Sequence, residues 1–380
     1  MKIVYCIGSL AKKGGTERVL ANKANYFADK LGYEIHIFIS DQKGLPFCYE
    51  FSKNIKFHDM ATSQYAPKLV IKGISFFVII RKLRKVYKAR INKINPDVII
   101  VCERGFDDFI LPYICKSVPK VREFHFAKGA VKNNSKIIKP LIASLHYRFL
   151  YFLLFRQFNK YDYLILLTNK DQQEGNYKTN TVVIPNIVEF EGENRVSDLK
   201  AKSVISVGSM SDERKGFKKQ IIIWKDIAKK HPEWILHLFG DGARRSYYTQ
   251  LVDNLDLNGQ VILHGSSDKM PDNYLSSSIF MFTSSAEGLP MVLLEAQSFG
   301  LPCISYDCPT GPSDIIEDGL NGFLIAENDK NEFIIKLEQL IENIDLRRKM
   351  GAAAVEKSKL FTYKNIVPKW ESFFNSILKK

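Results

Sequence analysis

The sequence predicts an α/β protein made of two Rossmann-like αβα domains that face each other across a cleft. Three observations predict it: apolar strands alternate with helices, glycine-bearing loops follow the strands, and the pattern restarts halfway along the chain. Continuous apolar strands between helices mark a parallel sheet covered on both faces. "KIVYCIGSL" is the first strand, "AKKGG" a loop, and residues 16–32 a helix capped by Thr16 and ended by Gly32. "YEIHIFIS", "PDVIIVC" at 96–102, a short strand before His125, "YDYLILLT" at 161–168 and "NTVVIPN" at 180–186 complete the first half.

The second run opens with a strand in "KSVISVGSM" at 202–210 and the helix "FKKQIIIWKDIAKKHP". Strands follow in "EWILHLFGDG" and "QVILHG", then a short helix at "DNYLSSS" and the strand "IFMFTSS". The helix "MVLLEAQSFG" leads to the last two strands, "LPCISYD" and "GFLIAEN". A boundary near "IPNIVEFEGENRVSD" gives an N-terminal domain at 1–186 and a C-terminal domain at 187–360. Residues 361–380 form an amphipathic helix with Trp370, Phe373, Phe374 and Ile377 along one side, expected to pack back on the N-terminal domain.

A chain of 380 residues, 46% of them hydrophobic, is long enough to bury two cores. Its six cysteines form no CxxC pair and no cysteine–histidine cluster at zinc spacing, so free thiols, a cytoplasmic location and no metal are expected. The apolar runs "ISFFVII" and "FLYFLLF" are too short to span a bilayer, and "MKIVYCIGSL" lacks the features of a signal peptide. Residues 1–190 hold 31 Lys+Arg and 15 Asp+Glu, a net of +16, whereas 191–380 hold 24 and 26, a net of −2. The excess positive charge therefore lies in the first half, on a surface suited to an anionic partner.

Ligands of such sheets bind beyond the carboxyl ends of the strands, so the loops there carry the chemistry. In "EGLPMVLLEA" a helix starts near Pro290, placing Glu287 in the loop and Glu295 one turn into the helix. Amides around Gly288, Leu289, Met291 and Val292 make a positive helix end suited to a phosphate. The two carboxylates would repel phosphate but accept hydrogen bonds from sugar hydroxyls. A capping acid and a solvated helix acid would give the same spacing. Arg214 and Lys215 in "VGSMSDERKGF" offer cations that neutralise a departing diphosphate, although adjacent basic residues in a loop are commonly just solvated. Gly14 and Gly15 precede a helix and allow close backbone approach to a ligand, as glycines at many strand–helix turns do. His125, just past a short strand, is placed to position reacting hydroxyls or to serve structurally. There is no Asp-x-Asp for a metal-bound diphosphate, no GxSxG and no phosphate loop of the GxxxxGK[ST] kind.

Taken together, "GGTERVL", "LLT", "IPN", "VGS…KGF", "LFGDG", "EGLPMVLLE" and "GLPCISYDCPTGPSDIIEDGLNGFLI" resemble, in order, the GT-B retaining glycosyltransferases of family 4. The run "CPTGPSDII" is similar to the branch that builds bacterial surface polysaccharides and lipopolysaccharide. The resemblance implies a UDP-sugar donor, with galactose the best guess, a glycan or lipid-linked glycan acceptor, and no metal or other cofactor. It also implies Glu287 on the donor sugar, Glu295 on the ribose, His125 beside the reacting sugar, and the Gly14–Gly15 and Gly288 amides with Lys215 on the diphosphate. One departure stands out: the family arginine after the strand glycine is Ser209 here, so either Arg214 supplies the guanidinium or the site relies on Lys215 alone.

Residues 68–93 contain nine Lys or Arg and no acid, and 136–160 mix basic and aromatic residues. Both suit an interfacial helix on anionic lipid at the inner face of the plasma membrane, or packing within the domain. No nucleic-acid module is recognisable. Two other readings stay open at this point: a GT-B-like nucleotide-sugar epimerase, and a non-catalytic anionic-lipid-binding protein.

Overall fold

The structure is a computed structural model and describes residues 1–65, 73–102, 107–126, 156–188 and 195–378. The stretch 136–155, expected to form a basic aromatic helix, lies outside the described residues. Two units separate. The first draws its described residues from Met1–His125, Ser135–Ile187 and Lys369–Lys380, the second from Phe126–Asn134 and Val188–Pro368.

The first unit holds strands β1 (Lys2–Ile7), β2 (Glu34–Ile39), β3 (Lys56–Asp59), β4 (Val98–Val101), β5 (Lys120–Glu123), β6 (Tyr163–Leu166) and β7 (Asn180–Val183). They pair in parallel in the order β3-β2-β1-β4-β5-β6-β7. Its helices include α1 (Gly15–Asp29), α2 (Gly73–Ile94), the single turn α3 (Asp107–Ile110) and α4 (Asn169–Glu174). α1 corrects one expectation. Gly14 is its N-cap with no side-chain cap, and Thr16 lies inside the first turn instead of capping it.

α2 divides its faces cleanly. Ile80, Leu83, Tyr87 and Ile91 recur at helical spacing and are buried, whereas Arg81, Lys82, Lys85, Lys88, Arg90 and Lys93 are exposed. Arg84 turns inward instead. It donates to the Phe109 carbonyl at 2.8 Å and stacks over the Tyr113 ring at 4.2 Å. The helix is therefore a packed core element with a basic outer face.

The second unit holds β8 (Ser203–Val207), β9 (Ile235–Phe239), β10 (Val261–Gly265), β11 (Ile279–Phe282), β12 (Cys303–Asp307) and β13 (Gly322–Ala326). Their order is β10-β9-β8-β11-β12-β13, again all parallel. Helices α5 (Phe217–Lys230), α6 (Arg245–Asn254), α7 (Met270–Leu275), α8 (Met291–Ser298), α9 (Pro312–Ile315), α10 (Lys330–Glu342) and α11 (Ile344–Ser358) surround the sheet. Its core joins Phe217, Ile221 and Trp224 of α5 to Leu236 and Leu238 of β9 and to Phe333 and Leu337 of α10. The chain order reverses between β8 and β11, and the crevice that binds ligands in such sheets lies at the carboxyl edge there.

The closing helix α12 (Tyr363–Leu378) tolerates Pro368 near its start. Beyond the proline, Trp370, Phe373, Phe374 and Ile377 are all buried. Trp370 and Phe374 meet Phe27 of α1 edge-on at 6.3 and 6.0 Å, and Phe373 meets Tyr163 at 5.4 Å. Among the described residues, no helix is long and apolar enough to cross a membrane.

Candidate active site

The crevice of the second unit is lined by the loops after β8 and β11. The β8 loop ends at Gly216, the N-cap of α5, whose φ of 75° lies in the left-handed region. A Cβ on Gly216 would fall 2.2 Å from the Thr283 carbonyl oxygen, so only glycine lets the two loops meet. Thr283 Oγ1 donates back to the Gly216 carbonyl at 2.9 Å, and the Ser285 amide bonds the Arg214 carbonyl at 2.9 Å. This lacing fixes Arg214 and Lys215 beside Glu287.

Three donors converge on one oxygen of Glu287. Lys215 Nζ lies 2.6 Å from Oε1, Ser284 Oγ donates at 2.6 Å and Arg214 Nη1 at 3.1 Å. Among the described residues, all three of these hydrogen bonds fall on Oε1 and none on Oε2. Glu287 is buried, which by itself raises a carboxyl's pKa. The charges of Lys215 and Arg214 outweigh that effect and hold it below the usual carboxylate range, so it is an anion at neutral pH. Arg214 also donates to the Ala286 carbonyl at 3.2 Å. Ser209, at the position where the resemblance leads one to expect arginine, bonds through its hydroxyl, among the described residues, only the nearby Ser211 hydroxyl at 2.9 Å and its amide at 3.3 Å.

The next turn of the loop delivers a helix end. Pro290 is the N-cap of α8, in extended conformation, and Leu293 N makes the first bond back to Pro290 O at 3.1 Å. The amides of Met291 and Val292 thus precede the helix's own ladder, while Gly288 and Leu289 are buried just before it. Thr310 Oγ1 clamps the Glu287 carbonyl at 2.6 Å from the loop after β12. Beside it Gly311, φ 99°, passes so close to Pro290 and Gly288 that a Cβ would fall within 2.5 Å of the proline ring. Glu295 is buried on α8 and takes a hydrogen bond from Tyr274 Oη at 3.0 Å.

The structure therefore brings together Arg214, Lys215, Glu287 and the Gly288–Val292 backbone, with Glu295 on the same helix. Gly14, Gly15 and His125 belong to the first unit, at the carboxyl edge of its sheet after β1 and β5. His125 Nε2 sits 3.2 Å from Glu123 Oε2. Cys102, Glu123 and His125 converge with ligand-type atoms all within 4.8 Å. Sequence spacing gave no sign of that trio, because adjacent strands β4 and β5 assemble it. Ser284, Thr310 and Tyr274 were also not singled out: hydroxyls carry no periodic signal, and their partners are distant along the chain. The cysteines are free as expected, and burial with the Glu287 charge pushes the Cys308 thiol up to about 12.

The two parallel-sheet αβα units have the GT-B fold, and a helix N-terminus and a buried carboxylate lie at the switch point of the second sheet. The model of the glycosyl transferases group 1 family matches residues 189–357, within the second unit of the chain. An uncharacterized glycosyltransferase of Haemophilus influenzae is 29% identical over 97% of this chain and 99% of its own length. The amylovoran biosynthesis glycosyltransferase AmsD of Erwinia amylovora is 33% identical over 56% of this chain and 62% of its own. Crystalline TarM of S. aureus, in complex with fondaparinux, alpha-GlcNAc-glycerol and UDP, superimposes with a TM-score of 0.77 at 16% identity, covering 98% of this chain and 99% of that one.

Proposed function

We propose that the protein is a retaining, metal-independent hexosyltransferase of family 4. It takes a sugar from a UDP-linked donor and adds it to a glycan or lipid-linked glycan of the bacterial envelope. Galactose is the first donor sugar to test, on the strength of the "CPTGPSDII" run. The observation that carries the reading is the convergence of Lys215 and Arg214 on Glu287 in front of the α8 N-terminus. As the bond between the sugar's anomeric carbon and the phosphate oxygen breaks, negative charge grows on the diphosphate. Two fixed cations and the helix-end amides stabilise it without reorganising. Glu287 Oε2 accepts from the donor sugar's hydroxyls and Glu295 from the ribose diol. The acceptor hydroxyl attacks the anomeric carbon on the face the phosphate leaves, and its proton passes to the departing phosphate oxygen. His125 contacts the reacting sugar.

The exposed basic face of α2 supports a location at the inner face of the plasma membrane, where a lipid-linked acceptor would be presented. The test is to incubate the protein with a panel of UDP-sugars and follow UDP release and transfer. One donor should be cleaved slowly to water, and Glu287→Ala and Lys215→Ala should each abolish cleavage while the protein stays folded. Interconversion of sugars without transfer would favour an epimerase. Cleavage of no donor would sink the reading.

A further inference from the structure

Lys23 of α1 and Glu123 of β5 form an ion pair with both side chains almost fully buried, at 4% and 3% exposure. Lys23 interrupts an apolar stripe: Val19, Leu20, Ala24 and Phe27 are buried on the same helix. Its ammonium also lies 4.4 Å from the Trp370 ring. Taking two charges out of water costs several kcal/mol per ion, and well-packed apolar residues commonly serve stability as well or better. Stability therefore gives no reason for a lysine in that stripe.

What the pair touches gives one. Glu123 is the last residue of β5, and His125 follows two positions on, so in extended chain both side chains leave on the same side. Glu123 Oε1 meets Lys23, and Oε2 lies 3.2 Å from His125 Nε2. Both ring nitrogens of His125 are buried, and neither makes a hydrogen bond of normal geometry among the described residues, so Nε2 has Glu123 Oε2 at 3.2 Å as its near neighbour and Nδ1 has no polar partner. Although burial opposes ionisation, the Lys23 charge and the His125 contact hold the Glu123 carboxyl down to about 2, so it is an anion throughout the working pH range. A metal at Cys102, Glu123 and His125 would have to share the only carboxylate of the trio with the Lys23 ammonium, which sits on its Oε1.

We propose that Glu123, neutralised by Lys23, is the positioning residue of His125. Its Oε2 accepts the Nε2 proton, fixes the ring, and leaves Nδ1 with a lone pair to accept from a sugar hydroxyl. A carboxylate behind an imidazole sets both tautomer and orientation in this way. Lys23 keeps the carboxylate ionised, so the imidazole's partner is always an acceptor. This inference rests on the role given to His125 above and names the residues that make that role possible.

The test uses full-length protein with 15N-labelled histidine, the His125 signals being assigned by their loss in His125→Ala. Two double variants remove both buried charges together, so neither strands an ion in the core. In K23M/E123L the His125 ring should leave the Nε2-protonated pattern, and kcat should fall tenfold or more with the donor KM within twofold. In K23M/E123Q the amide oxygen can accept again, and both the ring pattern and most of kcat should return. An unchanged ring pattern in K23M/E123L overturns the proposal, as does a glutamine that restores nothing leucine loses. Micromolar Zn2+ binding that shifts the His125 signals in the wild type overturns it in favour of a metal site. If His125→Ala transfers sugar at the wild-type rate while the ring still follows Glu123, the coupling stands and the role of His125 in transfer fails.

Discussion

Lys215 Nζ and Glu287 Oε1, 72 residues apart in sequence, lie 2.6 Å apart in a contact where both side chains are less than one-fifth exposed. The pair ties the loop after β8 to the loop after β11, and Arg214 shares the same oxygen at 3.1 Å. Removing either partner leaves charge in a partly dry crevice, so each of Lys215→Met and Glu287→Gln should cost about 1–3 kcal/mol. The double variant should cost clearly less than the sum, with a coupling of about 1–2 kcal/mol in denaturant unfolding. The pH dependence has a definite sign. The folded carboxyl is held below its ordinary value, so its contribution is full above the unfolded pKa and fades as pH falls through the folded one. The stability gap between wild type and Glu287→Gln should therefore shrink below about pH 4, near the reference value for glutamate.

Gly216 is a second point where the two loops depend on each other. A methyl group there meets the Thr283 carbonyl carbon and oxygen, neither of which can rotate away, at a φ of 75°. Gly216→Ala should lose about 2–3 kcal/mol from steric and backbone strain combined. UDP release should fall with it, because Lys215 is the adjacent residue. Gly259→Ala is a control: that glycine also has positive φ but nothing within 4 Å, so it should cost about 1 kcal/mol and leave catalysis alone.

The six strands of the second sheet were legible because each is a short, continuous apolar run before a glycine or a polar loop. β3 was not. It has only four residues, KFHD, it lies at the sheet edge and none of its residues is fully buried, so no apolar run marks it. α10 and α11 were likewise passed over, since Lys, Glu and Asn dilute their apolar stripes. At the site, Glu287, Glu295, Arg214 and Lys215 could be found because they sit in loops that follow strands. Glu123 could not: within "KVREF" it reads as a charged residue ending a short strand, and only α1 laid against that strand supplies Lys23. The basic run at 68–93 was read as one surface, yet the helix turns Arg84 inward and keeps its neighbours outside.

Asp107 opens α3 and is buried, with Tyr87 Oη donating at 2.8 Å and Ser40 Oγ at 2.9 Å. Burial pushes its carboxyl up to about 6, against 3.8 for the ordinary group. Because the folded value is the higher one, the fold gains from protonation at low pH and loses that gain as pH rises from about 4 to about 6. Asp107→Asn removes the titration while keeping an acceptor and a donor for the same hydroxyls. Its stability relative to wild type should improve across that interval, by an amount on the order of 3 kcal/mol at most. Thermal unfolding at pH 4 and pH 7 measures it, and a difference independent of pH would show that the fold leaves the Asp107 carboxyl unshifted.

The outer face of α2 is where anionic lipid should be felt, and the helix sorts its own cations into two groups. Arg81, Lys82 and Lys85 are exposed, while Arg84 is engaged with the Phe109 carbonyl and the Tyr113 ring. A basic residue near an anionic surface contributes about 1 kcal/mol of attraction, so R81Q/K82Q/K85Q should weaken binding to phosphatidylserine vesicles by up to about 100-fold. The loss should disappear in 0.5 M salt, where the attraction is screened within a few ångströms. Arg84→Gln should act differently. It should lower the unfolding temperature by removing a part-buried charged hydrogen bond of about 1.5–3 kcal/mol, with little effect on vesicle binding. Unchanged vesicle binding in the triple variant would mean that the basic face only solvates the helix.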